Sequence, residues 1–127
     1  MENNTEVYNY ILNHLVVKSE EIRKDILFEI IGYVADNETE ENAITIIRSY
    51  RRVRENINNI EGINDLLDDL LEIRGESKIQ LILQGEINML KKLNEEAEER
   101  IAEGQDIKTK GILEKKIEEL EEELKRI

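Results

Sequence analysis

Several residue types that shape most small folds are missing or scarce in this chain of 127 residues. It contains no cysteine, no proline and no tryptophan, and aromatic residues make up only 4% of it. The absence of cysteine excludes disulfides, thiolate nucleophiles and cysteine-based zinc or iron–sulfur sites. Because proline is the strongest helix breaker, its absence allows long helices. Isoleucine and leucine must then supply most of the core.

Long apolar runs are missing as well. No segment approaches the roughly 20 apolar residues that a membrane-spanning helix needs. The first ten residues are polar and acidic and lack the basic and apolar regions of a secretory signal. We therefore expect a cytoplasmic protein that does not act in a membrane.

Positive charge is scarce, since 30 acidic residues face 18 basic ones and the formal net charge is −12. Nucleic-acid binding usually needs a basic surface, so nucleic acid is a less favoured partner for this chain. A strong negative charge instead attracts the basic surfaces of other proteins. This charge suits an acidic inhibitor, of the kind some phages encode, that blocks a basic nucleic-acid-binding groove.

What the sequence does contain is helical periodicity. Apolar residues recur at steps of three and four over about Thr5–Val17 and Ser19–Ala35, and the polar stretch Asp36–Thr39 then separates these segments from the rest. We predict an all-α fold that behaves as one cooperative unit. Residues 1–38 form an N-terminal helical pair. Residues 39–127 form a long antiparallel helical hairpin with coiled-coil character and a C-terminal coiled-coil helix.

The segment after Thr39 carries a heptad pattern, in which core-type residues follow one another at alternating steps of four and three. This seam consists of Ile46, Tyr50, Val53, Ile57, Ile60, Asn64, Leu67 and Leu71. Gly62 interrupts it at a cost of up to about 1 kcal/mol relative to alanine, and we predict one long helix that kinks near this glycine. Asn64 fixes the helix register from a core position, caps a new helix, or lies at the edge of the core.

The stretch Arg74–Ser77 contains a glycine and a capping serine, which predicts a turn. A short turn makes the next helix, over about Ser77–Ala102, fold back antiparallel along the preceding one. The last segment has a narrow apolar seam between glutamates and lysines, as is typical of a coiled coil. That seam consists of Leu113, Ile117, Leu120 and Leu124. The last helix pairs either within the chain or with a second copy.

Motifs for catalysis or metal binding are not recognisable. His14 is the only histidine, and no glutamate lies three residues before it to complete the Glu-x-x-His pair of di-iron bundles. The acids Glu20, Glu21 and Asp25 loosely resemble one half of the magnesium-binding pattern of all-α nucleotide pyrophosphohydrolases, but the matching Glu-x-x-Glu is missing. We therefore predict no catalytic residues, no cofactor and no metal.

One charge feature opposes the overall trend. Arg48, Arg51, Arg52 and Arg54 lie within seven residues of an otherwise acidic chain. Arginine binds carboxylate or phosphate in bidentate fashion, so this cluster is a candidate site for an acidic partner or for nucleic acid. The alternative is that the arginines pair with the many glutamates of this chain's own fourth helical segment, or are simply solvated.

The width of the apolar stripes leads to the functional hypothesis. They exceed what one small monomeric core buries, which predicts self-association, with a dimer favoured. The leading function is that of a non-enzymatic interaction protein, such as an adaptor, assembly factor or small regulator, that binds a protein partner through its helix faces. The acidic inhibitor and a nucleic-acid binder acting through Arg48–Arg54 are the alternatives.

Overall fold

The computed structural model describes residues 4–36, 38–55, 57–102 and 107–127. Over these residues the chain is all-α, as predicted, and contains no strand. The helices are α1 (Asn4–Ile11), α2 (Glu20–Ala35), α3 (Glu40–Arg54), α4 (Ile60–Arg74), α5 (Lys78–Ala102) and α6 (Ile107–Lys125). A π-helical turn, Leu12–Val16, extends α1. In this described part of the chain, no helix combines the length and the apolar character needed to cross a bilayer.

Capping residues fix most of the helix ends. Ser19 and Thr39 each accept a hydrogen bond from the backbone N–H three residues on, at 3.3 and 3.2 Å. At the start of α5, Ser77 and Gln80 form a reciprocal capping box with two bonds of 3.1 Å. Gly75 ends α4 in the left-handed conformation, with φ 75°. These ends agree with the turns that the sequence predicts.

The heptad segment is not one helix, so the predicted long helix kinked at Gly62 is wrong. The chain leaves α3 at Arg54 and enters α4 at Ile60, and Gly62 lies inside α4. The cap of α4 is Asn59, whose Oδ1 accepts from the N–H two residues on at 2.9 Å. Asn64 neither caps a helix nor is fully buried; its Oδ1 accepts a hydrogen bond at 3.0 Å from the side chain at the start of α5.

A buried arginine of α2 holds the turn between α3 and α4. Arg23 is only 6% exposed. Its guanidinium donates to the Ile57 carbonyl at 3.4 Å and to Oδ1 of Asn58. The same side chain donates to three carbonyl oxygens at the end of the first helix, those of Leu15, Val16 and Lys18. If α3 continued, the Ile57 carbonyl would bond within the helix, so Arg23 stabilises the break.

An antiparallel helical hairpin is formed by α5 and α6. Lys91 pairs with Glu121 at 3.4 Å, and Lys110 pairs with Glu98 at 3.2 Å, so the two helices run in opposite directions. The other face of α5 packs on α2, whereas α4 packs mainly on α3. As the sequence predicts, α5 contacts the preceding helix α4, but its main partners are α2 and α6.

The predicted seam residues lie in the core of the bundle or at its edge. The buried ones are Ile46, Val53, Ile57, Leu67, Ile117 and Leu120. The half-buried ones are Tyr50, Ile60, Asn64, Leu71, Leu113 and Leu124. The core that they join draws side chains from all six helices. These residues therefore pack within the chain, and α6 pairs with α5 of its own molecule.

Close packing of α2 on α5 depends on Gly85. A Cβ atom at this position would overlap Cγ1 of Ile30 and would lie 3.0 Å from the carbonyl oxygen of Ile26. A Cβ atom at Gly32, on the exposed side of α2, would meet no described atom within 4 Å beyond its chain neighbours and the backbone of its own helix. The two glycines therefore form a matched pair for testing this contact.

We predict that Gly85→Ala lowers the free energy of unfolding by about 1–3 kcal/mol, because overpacking outweighs the gain in helix propensity. Gly32→Ala should raise it by up to about 1 kcal/mol, since only the propensity changes. Urea unfolding followed by circular dichroism measures both changes. A Gly85→Ala protein as stable as the wild type would show that α2 and α5 do not approach this closely.

Candidate functional site

The inner face of α3 packs against the rest of the bundle. Ile46, Ser49 and Val53 are buried there. The Ser49 hydroxyl donates to Oδ2 of Asp69 on α4 at 2.7 Å, which links the two helices. Because this side of α3 is held against α4, the opposite side must face solvent.

A row of side chains runs along the exposed side of α3, and we call this row the outer stripe. Its members follow one another at steps of four, three, four and three, so they share one helix face. They are Glu40, Ile44, Ile47, Arg51 and Arg54, all of them exposed. Ile44 is 44% and Ile47 48% exposed, which is high for isoleucine. Glu41 and Arg48, also exposed, flank the stripe on one side.

Of the four predicted arginines, one is paired with another described residue and three are not. Arg52 lies 3.1 Å from Oδ2 of Asp69 and donates to the Ser49 hydroxyl at 3.2 Å. Arg48, Arg51 and Arg54 form no ion pair or hydrogen bond with any residue that the structure describes. Over these residues, the proposed pairing with glutamates of the fourth segment, now α5, is not found.

The outer stripe combines two kinds of contact. Guanidinium groups bind carboxylates with directional, charge-assisted hydrogen bonds. The two isoleucines between the charged ends offer apolar area that is only half covered in the single chain. An amphipathic helix of a partner can make both kinds of contact, since it presents apolar residues at steps of three and four and charged residues beside them.

Sequence reasoning missed a buried charge cluster at the first helix. Glu86 on α5 is only 2% exposed. Nδ1 of His14 lies 2.7 Å from one carboxylate oxygen, and Lys18 Nζ lies 3.1 Å from the other. The His14 ring stacks on Tyr10, and the Tyr10 hydroxyl donates to Glu123 of α6 at 2.6 Å. This network ties the first helix to the hairpin and has a structural role.

The pKa values in this cluster follow from the contacts. Burial raises the pKa of Glu86, but the hydrogen bond from His14 and the charge of Lys18 more than offset it, so the pKa lies below its ordinary value. The hydrogen bond to Glu123, together with burial, raises the pKa of Tyr10 to about 12.

A shallow groove of about 240 Å³ lies between α2 and α5. Phe28, which is 58% exposed, and Leu93 form apolar parts of its wall, and Asp25 lies on its rim. Phe28 also contacts the ring of Tyr50 edge-on, at a centroid distance of 6.4 Å. Among the described residues, no three carboxylate or imidazole groups converge as a metal ion requires, Asp25 and its neighbours on α2 included.

Comparisons with known proteins add no functional assignment. No protein-family model, curated protein or solved structure matches the chain. Function must therefore be argued from the surfaces described above. Of these, the outer stripe differs most from the rest of the described chain, because it places arginines with no described ion-pair partner and exposed isoleucines on a chain of net charge −12.

We predict that Glu86→Gln lowers the free energy of unfolding at pH 7 by about 2 kcal/mol, because it removes charge-assisted hydrogen bonds at a buried site. The folded pKa of Glu86 lies below its ordinary 4.5. Its contribution is therefore present above about pH 4.5 and is lost as pH falls through the folded pKa. Denaturant unfolding across pH 3–7 should show that acid lowers the free energy of unfolding less for the variant than for the wild type.

Glu121→Gln is the matched control for that change, since its pair with Lys91 lies at the surface. It should alter the free energy of unfolding by less than about 0.5 kcal/mol. Equal effects of the two substitutions would contradict the role given to the buried cluster.

Proposed function

We propose that the protein is a non-enzymatic, cytoplasmic interaction protein, an adaptor, assembly factor or small regulator, that docks a helix of a protein partner on the outer stripe of α3. One observation carries the proposal. Ile44 and Ile47 are nearly half exposed beside three arginines that have no ion pair among the described residues. Covering the isoleucines would contribute about 25 cal/mol for each Å² of apolar surface removed from water.

The chemistry of the outer stripe favours a partner helix with carboxylates next to apolar residues. Arg51 and Arg54 extend from the C-terminal half of α3 and can each receive a carboxylate. The charge of the whole chain repels other acidic proteins at long range, so the contact must be specific and local. Two helices make such a specific, local contact when each carries apolar residues at steps of three and four with charged residues on either side.

Nucleic acid is a second candidate ligand, because Arg48, Arg51 and Arg54 are exposed and unpaired within the described residues. Two features of the same face oppose it: Glu40 and Glu41 would repel phosphates, and exposed isoleucines contribute nothing to backbone contacts. Fluorescence anisotropy with duplex DNA and single-stranded RNA in low salt distinguishes the two. Tight binding that Arg51→Glu abolishes would favour nucleic acid over a partner helix.

An acidic inhibitor is the other alternative. It is supported by the charge of −12 and by exposed glutamates on α6, among them Glu118, Glu119 and Glu122. Such an inhibitor would contact a basic groove through α6 rather than through α3. Charge reversal on α6 would then weaken partner binding, whereas charge reversal on α3 would leave it intact.

We predict that a photo-crosslinking residue in place of Ile47 forms a covalent adduct with a protein in the cells that make this chain. The same residue at Lys115, which is exposed on α6, should not form that adduct. With the crosslinked protein purified, Arg48→Glu combined with Arg51→Glu should weaken its binding at least about tenfold, because carboxylates would then face carboxylates. Circular dichroism must show the variant to be folded.

Adducts that are the same at both positions, or absent at both, would contradict the proposed docking surface. A protein captured only from position 115 would favour the inhibitor. A crosslink between two copies of this chain at position 47 would support helix docking and would identify the docked helix.

A further inference from the structure

We propose that the helix that docks on the outer stripe is α3 of a second copy, which runs antiparallel and forms a two-fold symmetric dimer. The inference rests on the proposed function, since it names the partner of the same surface. The inference goes beyond the proposed function because it specifies which residues meet.

The order of side chains along the stripe is self-complementary. Glu40 lies at the N-terminal end, Ile44 and Ile47 in the middle, and Arg51 one turn further on. A second α3 can lie antiparallel so that the numbers of facing residues add up to about 91. In this register, Ile44 meets Ile47 of the second copy. The same register places Glu40 opposite Arg51 of the second copy. Two-fold symmetry repeats both contacts, so four isoleucines are enclosed by two Glu–Arg pairs.

The flank of the stripe fits the same register. Glu41 and Arg48 lie one heptad apart on one side of the stripe, the positions through which neighbouring coiled-coil helices form ion pairs. In the antiparallel arrangement, Glu41 faces Arg48 of the second copy, and the reverse contact follows by symmetry. Each copy thus supplies both the acidic and the basic member of these pairs.

Other arrangements of two α3 helices are less favourable. A parallel pair in register would place Glu40 against Glu40 and Arg51 against Arg51, and like charges at such positions destabilise. An antiparallel pair moved by one heptad would set Ile47 against Arg51 and leave the isoleucines without apolar neighbours. Only the register in which the numbers of facing residues add up to about 91 pairs opposite charges and also places isoleucine against isoleucine.

The proposal accounts for charges that have no partner among the described residues of the single chain. Glu40, Glu41, Arg48 and Arg51 are all exposed, and none forms a side-chain ion pair with another described residue. The dimer would pair all four. A contact between two helices of 15 residues is small for a protein interface, so we expect a reversible dimer.

The test is charge reversal on each side of the predicted pair, followed by mixing. Arg51→Glu places carboxylate against carboxylate, and Glu40→Arg places guanidinium against guanidinium, so each variant alone should dimerise at least about tenfold more weakly. Mixed together, they should form a heterodimer, because each Glu then meets an Arg. One variant is more negative by two charges and the other more positive by two, so the mixed pair keeps the total charge of the wild-type dimer.

Sedimentation equilibrium gives the dissociation constants, and native mass spectrometry distinguishes heterodimer from homodimers. Arg126→Glu and Glu61→Arg carry the same charge changes at exposed positions outside α3 and should dimerise as the wild type does. A wild-type chain that stays monomeric, or single variants that dimerise normally, would overturn the inference. So would a mixture that fails to associate. A heterologous adduct at position 47 on a monomeric chain would overturn this inference but leave the proposed function intact.

Discussion

The hydrogen bonds of Arg23 determine how the rest of the structure is arranged. This buried guanidinium binds the end of the first helix on one side and the turn through Ile57 and Asn58 on the other. Holding that turn separates α3 from α4 and lets them fold against each other, with Ser49 bonded to Asp69. Once the inner face of α3 is committed to this contact, its other face must point outward. The candidate site is therefore a consequence of a core interaction.

Much of the fold follows from local sequence, and the parts that do not are set by distant contacts. Ser19 and Thr39 begin helices and Gly75 ends one, because their side chains or backbone satisfy nearby groups, so a short window of sequence suffices. The heptad seam correctly selects core-facing positions, yet it predicts one helix where there are two. Periodicity reports which face is apolar; it carries no information about Arg23, which reaches the turn from 34 residues away.

The candidate site could be predicted only in part. The sequence locates the basic cluster, but that Arg52 is the member paired within the chain depends on how α3 meets α4. The outer stripe has the same steps of four and three as the seam on the opposite face, but the more apolar seam dominates the pattern. Glu86 had a signal as well: a charged residue four places after Ile82 and four before Leu90, on an otherwise apolar stripe.

The central claim is that two copies meet through the outer stripe in an antiparallel register. Because the chain has no cysteine, one introduced cysteine carries one spin label per molecule. The symmetry axis would pass near the level of Thr45, so labels there should lie at the same height along the two helices, on the sides turned away from the interface. Labels at Glu55 should be offset along the helix axis by about 28 Å at 1.5 Å per residue. A clearly shorter intermolecular distance for position 45 than for position 55 is the predicted result; equal distances, or none, would contradict it.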